Sequence, residues 1–107
     1  MSATLALVIP ADATRPMTLE YLDGPGSLIR HLGEHPTRAI DAEDFTAYVC
    51  ENAAALNTRA DYFVHDQVPE IPGDDRLAGT VVLVGLCDEH GADADVPARA
   101  IEALGLA

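Results

Sequence analysis

The sequence predicts an α+β fold: a mixed, mostly antiparallel sheet of four to five strands with two or three short helices. Apolar or alternating runs of strand length recur along the chain, and helical spacing is confined to short segments between them. Gly, Pro and Asp clusters separate the runs. Because 107 residues is the usual size of one domain, we expect a single domain over 1–107.

The first two apolar runs predict a β-hairpin. Residues 5–9 form a continuous apolar strand that ends before a proline, and a polar loop follows. The run 17–22 alternates, with Met17, Leu19 and Tyr21 on one apolar face. This second strand is therefore expected to pair with the first.

The next segment predicts one short helix and two strands. Ser27 is expected to cap a helix over 27–33 that stops at a glycine, since Ser is a preferred N-cap residue. Residues 38–40 then fit a short strand, and 41–44 an acidic turn. The run 45–50 is apolar on both faces, as expected for a strand inside the sheet.

The middle of the chain predicts a helix and a long loop. Residues 51–66 are expected to be helical, because alanines favour a helix and Asn57 can cap a second helical turn. Segment 67–79 contains prolines, glycines and paired aspartates, so we expect an irregular loop.

The last third contains the strongest strand pattern. Residues 80–87 form a continuous, mostly β-branched run, which indicates a central strand buried on both faces. Asp95 is expected to cap a final helix over 96–104 that packs on one face of the sheet.

Charge limits the classes of partner. The 18 acidic residues face six arginines and no lysine, for a formal net charge of −12. Nucleic-acid binding relies on basic side chains that neutralise phosphates, so we expect no direct nucleic-acid contact. A basic protein partner suits this balance. Solubility, a high-salt environment or coding bias would also account for the acidity.

Compartment and membrane contact can also be predicted from the composition. No apolar run approaches the roughly 20 residues of a membrane-spanning helix, so no membrane association is expected. Cys50 and Cys87 lie in apolar runs without CxxC spacing, which indicates buried thiols in a reducing compartment. Cytoplasmic localisation is the resulting expectation.

Several motifs together resemble a known family. Residues 7–10 read Leu-Val-Ile-Pro, a short helix ends in Gly, and a strand is followed by Glu-Asn. Residues 57–60 read Asn-Thr-Arg-Ala, and 79–85 form a Gly-bounded apolar strand. Over about 5–95 this order resembles the family called domain of unknown function 3846, found mainly in phages, plasmids and actinobacteria. The resemblance implies an accessory protein of mobile elements and no particular chemistry.

The sequence evidence for a catalytic or metal-binding site is weak. His31 and His35 have helical ligand spacing, but Gly33 and Pro36 interrupt a helix through both. A zinc site that combines the cysteines with His65 or His90 lacks the usual spacing. The chain has no GxSxG motif around a serine and no lysine for phosphate-loop or Schiff-base chemistry. We therefore expect no enzyme activity, no cofactor and no metal.

The candidate functional residues are acids in turns and loops. The lead interpretation is a non-catalytic accessory protein that binds a basic protein partner through acidic loops, in the manner of a host-modulating or DNA-mimicking inhibitor. The alternative is a small-ligand or metal binder, or a small enzyme, that uses the His and Asp cluster near 88–95. A homodimer is also expected, because the Ala-rich core of so small a domain is thin. The candidate partner-binding residues are Asp41, Glu43, Asp44, Glu70, Asp74, Asp75, Asp88, Glu89, Asp93 and Asp95.

Overall fold

The computed structural model describes residues 3–23, 25–33, 36, 38–50, 55–86 and 94–105. It confirms the α+β class, with one five-stranded sheet and three helices among the described residues. No helix in these ranges is long and apolar enough to cross a membrane. The elements are β1 (Thr4–Ile9), β2 (Thr18–Leu22), α1 (Pro25–Leu32), β3 (Arg38–Asp41), β4 (Phe45–Val49), α2 (Thr58–Gln67), β5 (Val81–Gly85) and α3 (Ala98–Ala103).

The sheet has the strand order β2-β1-β5-β4-β3, and every neighbouring pair is antiparallel. The predicted hairpin is confirmed, because β1 pairs with β2 in a register that places Leu7 opposite Leu19. The predicted central strand is confirmed as well. All five residues of β5 are buried, which explains its continuous apolar run.

The antiparallel strands define two ends of the sheet. At the upper end, β1 and β4 finish and β2, β3 and β5 begin. At the lower end, β1 and β4 begin and the other three strands finish. The charged side chains divide between the upper end and the lower end.

The main core lies on the sheet face that α2 and α3 cover. Phe45 packs against Phe63 of α2 with ring centroids 5.4 Å apart, which brings a helix onto β4. Ala100 of α3 is fully buried in the same cluster, so the expectation that the last helix packs on one face is confirmed. The opposite face has a smaller core, in which Val82 and Val84 meet Leu28 of α1.

The apolar stripe predicted on the second strand is only partly covered. Leu19 retains 42% and Tyr21 68% of its accessible surface. Leu19 lies opposite buried Leu7 and Tyr21 lies opposite partly buried Leu5, both on the main core face, yet β2 is an edge strand. The stripe therefore extends past the part of the sheet that the helices cover.

Two expected helix caps are wrong. Helix α1 begins at Pro25, since proline suits a first helical turn, and Ser27 lies inside it, where its Oγ accepts from the Asp23 backbone N–H. Helix α3 begins at Ala98 after Pro97, without a side-chain cap. Asp95 instead accepts a hydrogen bond from the Leu5 backbone N–H at 2.8 Å, which joins the segment before α3 to β1.

The helix expected over 51–66 is shorter in the structure. Residues 51–54 lie outside the described residues, and α2 begins only at Thr58. Leu56 forms an isolated bridge with Ala78, so the chain is extended just before the helix. The predicted cap by Asn57 is confirmed, because its Oδ1 accepts from the Ala60 N–H at 3.1 Å.

Asn57 also joins separate parts of the fold. Its side chain is fully buried, and its Nδ2 donates to the carbonyls of Ile9 and Gly79, both at 2.8 Å. Its backbone N–H donates to the Leu77 carbonyl. One amide therefore fixes the end of β1, the approach to β5 and the start of α2.

Replacing Asn57 by alanine should lower the free energy of unfolding by about 3 kcal/mol or more. The change removes a helix cap, worth about 0.5–2 kcal/mol, and leaves buried carbonyls unpaired at about 1–3 kcal/mol each. Asn57→Asp keeps the cap acceptor but points an oxygen at two carbonyls, so its loss should be at least as large. Urea denaturation measures both variants.

Thr58→Ala is the matched control, because Thr58 is exposed at the adjacent position. Its effect should stay within about 0.5 kcal/mol. An Asn57→Ala variant as stable as Thr58→Ala would show that the buried amide does not hold these elements together.

Candidate functional site

The lower end of the sheet is organised around one arginine. Arg99 of α3 donates from Nε to Oδ2 of Asp44 at 2.6 Å and from NH2 to the other oxygen of Asp44. Its NH1 donates to Gln67, the last residue of α2, at 2.5 Å. The guanidinium carbon also lies 5.8 Å from the centre of the Phe45 ring. Arg99 thus brings together the β3–β4 turn, the end of α2 and α3.

The Arg99 contact changes the titration of both partners. Its hydrogen bonds lower the pKa of Asp44 below the ordinary value, and the same contact raises the pKa of Arg99. The charge of Glu43 adds to the rise for Arg99, so Glu43 also lies near the guanidinium. Asp44 therefore pairs directly with Arg99, and Glu43 acts on Arg99 through its charge.

More carboxylates lie at this end. Asp23 follows the last residue of β2, and Asp41 is the last residue of β3. Asp95 accepts a hydrogen bond from the start of β1. Asp66 and Glu70 lie at and beyond the end of α2, and Glu102 lies one turn after Arg99. Apart from Asp44, all are exposed. We call this set the acidic end: Asp23, Asp41, Glu43, Asp44, Asp66, Glu70, Asp95 and Glu102.

The structure divides the predicted partner-binding residues. Asp74 and Asp75 lie at the upper end, because the Asp75 carboxylate pairs with Arg38, the first residue of β3. Asp88, Glu89 and Asp93 lie outside the described residues. The candidates that the structure brings together at the acidic end are Asp41, Glu43, Asp44, Glu70 and Asp95.

Several of the predicted acids already have a structural role. Arg38 donates to both oxygens of Asp75, at 2.9 and 2.5 Å, and these bonds lower the pKa of that carboxyl. Asp41 accepts from the Thr46 hydroxyl at 2.7 Å. With Asp44 and Asp95 also bonded, the acids of this set without such a bond among the described residues are Glu43, Glu70 and Asp74.

Sequence reasoning missed a buried acid. Asp61 is 6% exposed, and it accepts from the Leu77 N–H at 2.9 Å and from Nε of Arg76 at 2.7 Å. The Nε2 of His65 lies 3.2 Å from Asp61 and 2.7 Å from the Asp75 carbonyl oxygen, so that nitrogen carries a proton. The only signal in the sequence was an acid four residues before a histidine in a helix.

The described residues provide little for catalysis or metal binding. Within them, no group of three or more His, Cys, Asp or Glu side chains is close enough to hold a metal ion. The Cys50 side chain is buried, and the Ser27 hydroxyl accepts a hydrogen bond from Arg30. His35, Cys87 and His90 of the other weighed sites lie outside the described residues.

No family model, no curated protein and no solved structure matches this chain. The resemblance to domain of unknown function 3846 therefore stays a prediction.

The Asp75 pair should make stability depend on pH in the acid range. Arg38 holds the pKa of Asp75 below its ordinary 3.8. The pair therefore stabilises the fold fully above that pH, and this contribution is lost as pH falls through the lower folded pKa. Both side chains are about one-third exposed, so Asp75→Asn should cost only up to about 1 kcal/mol at pH 7.

The difference in unfolding free energy between Asp75→Asn and wild type should shrink toward zero by about pH 2, as measured by urea titrations at several pH values. Asp74→Asn is the control, since it removes the same charge next door and keeps the Arg38 contact. A difference that stays constant from neutral to acid pH would contradict a stabilising ion pair.

Proposed function

We propose that this protein is a non-catalytic accessory protein that binds a basic partner protein through the acidic end. The observation that carries the proposal is the segregation of charge. Among the described residues of the acidic end, Arg99 is the arginine that pairs with a carboxylate, whereas Arg15, Arg38 and Arg59 belong to the upper end.

Segregated charge acts at longer range than isolated pairs. Carboxylates that lie within one Debye length of one another, about 8–10 Å at physiological salt, act on an approaching protein as a single patch. Away from the acidic end, Arg38 pairs with Asp75 and Arg76 pairs with Asp61, so these charges cancel locally. A basic partner would therefore be oriented with its positive surface toward the acidic end.

Local structure supports this patch as a docking surface. The acids lie on strand ends, a tight turn and helix ends, and Arg99 ties three of these elements together. Such a surface loses little conformational entropy when a partner binds. Binding partners of this kind include proteins whose basic surface otherwise contacts nucleic acid, so partial mimicry of a phosphate backbone falls within the proposal.

Two parts of the proposal have separate support. A role among the accessory proteins of phages or plasmids is supported by the family resemblance described above. A reducing compartment such as the cytoplasm is supported by the sequence, because Cys50 and Cys87 lie in apolar runs without CxxC spacing.

The acidic end can be tested with two variants of equal net charge. Glu70→Gln with Glu102→Gln removes two negative charges from the acidic end. Asp74→Asn with Thr58→Lys changes the net charge equally at exposed upper positions. Wild type and the second variant should capture the same proteins from a host lysate. The first variant should bind these proteins at least about fivefold less.

Captured proteins should also be more basic than the average of the lysate and should elute as salt is raised. Equal losses for both variants would mean that net charge alone matters. Captured proteins of ordinary charge would contradict a basic partner.

We also propose self-association through β2 as the simplest oligomeric form. This edge strand exposes Leu19 and Tyr21, and Glu20 is its only charged residue. Strand edges with exposed apolar side chains favour pairing with a second chain. The pairing would cover the part of the core face that the helices leave open.

Tyr21→Lys should shift a concentration-dependent dimer to the monomer, because a charged residue on an edge strand opposes pairing. Tyr62→Lys is a matched control: Tyr62 is 80% exposed on α2, away from the strand. Light scattering across micromolar concentrations measures the mass. A wild-type monomer at every concentration, or equal effects of both variants, would contradict pairing through β2.

A further inference from the structure

A second feature of the upper end is a cavity of about 420 Å³. It lies beside the smaller core, between the β1–β2 loop, the start of β2 and α1. Its volume falls within the range of about 300–1,000 Å³ that small-molecule sites occupy. Its polar lining consists of Arg15, Thr18, Glu20, Arg30, His31 and Thr80.

The two arginines of this cavity differ from most others in the protein. Arg38, Arg76 and Arg99 each pair with a carboxylate. Neither Arg15 nor Arg30 pairs with a carboxylate among the described residues, and Arg30 donates only to the Ser27 hydroxyl, at 2.7 Å. In a chain of net charge −12, two arginines that pair with no carboxylate among the described residues therefore line the same cavity.

The nearest acids are already engaged. Glu20 contacts Nε2 of His31 at 3.3 Å with one oxygen and accepts from the Thr18 hydroxyl at 2.8 Å with the other. Asp12 accepts from the N–H and hydroxyl of Thr14, and these bonds, more than the nearby charge of Arg15, lower its pKa. The positive charge of the two arginines stays available to an anion.

The cavity also has an apolar wall and a fixed loop. Val8, Pro10 and Pro16 supply the wall. The loop that carries Arg15 is held at its base, because Arg59 of α2 donates to the Pro10 carbonyl at 2.8 Å and the Asp12 carbonyl at 3.1 Å. Arg15 is thus attached to a loop anchored on the helix behind it.

We propose that this cavity binds a small organic anion, whose phosphate or carboxylate group is held by Arg15 and Arg30 and whose apolar part packs on the proline wall. Guanidiniums bind both groups through paired N–H donors, and Thr18 and Thr80 add hydroxyls. The overall negative charge of the protein favours small anions that fit inside the cavity over large polyanions, which would meet the acidic surface outside it.

The test is an amide-shift titration of the isotopically labelled protein with phenyl phosphate, benzoate, inorganic phosphate and neutral benzyl alcohol. Phenyl phosphate or benzoate should saturate shifts at Arg15, Arg30 and Thr80, and the tighter of the two identifies the preferred anionic group. Inorganic phosphate should bind more weakly, because it lacks the apolar part, and benzyl alcohol should not saturate. The absence of saturation by both aromatic anions below about 10 mM would overturn the proposal.

Arginine variants test the recognition itself. Arg15→Gln and Arg30→Gln should each weaken binding about tenfold, the usual effect of losing a charged hydrogen bond. Arg38→Gln removes the same charge at the opposite edge of the sheet and should leave binding unchanged. Wild-type affinity in both cavity variants would overturn the proposal. Amide shifts centred on residues outside the cavity would overturn it too. If a variant fails to fold, the amide shifts of the wild-type protein decide the question alone.

Discussion

The Asn57 side chain joins two strands of the sheet to the helix that covers them. It is fully buried and bonds to Ile9, Gly79 and Ala60, which belong to β1, the approach to β5 and α2. A buried amide left without these partners would cost more than most single core contacts. Asn57 therefore fixes the first residues of α2 at the upper end of the sheet. The last residue of α2 then lies at the lower end, where it contacts Arg99.

The placement of α2 determines how charge is divided. The helix runs from Asn57 at the upper end to Gln67 at the acidic end, so the loop after it must return along the β3 side. The returning loop brings Asp75 to Arg38 and Arg76 to Asp61. Asp75 and Asp61 are thus each matched by an arginine, while at the acidic end Arg99 is the arginine that pairs with a carboxylate. The same geometry leaves Arg15 and Arg30 beside an open cavity.

Local patterns predicted the sheet, but long-range bonds could not be predicted. The run that became β5 was recognisable because a strand buried on both faces needs apolar residues throughout. Asp95 was expected to cap a helix, yet it bonds to Leu5, 90 positions away in sequence. Asp44 and Asp75 also looked equivalent as loop acids. Only the topology, which no local pattern encodes, sends them to opposite ends.

The most direct measurement of the segregated charge is paramagnetic relaxation of amide protons by freely diffusing nitroxides, one cationic and one neutral. The ratio of the two effects reports the local potential. The cationic probe should be enriched at Glu43, Asp66 and Glu102 relative to Arg15 and Arg38, and added salt should reduce the contrast. Equal enrichment at both ends would contradict the segregation of charge.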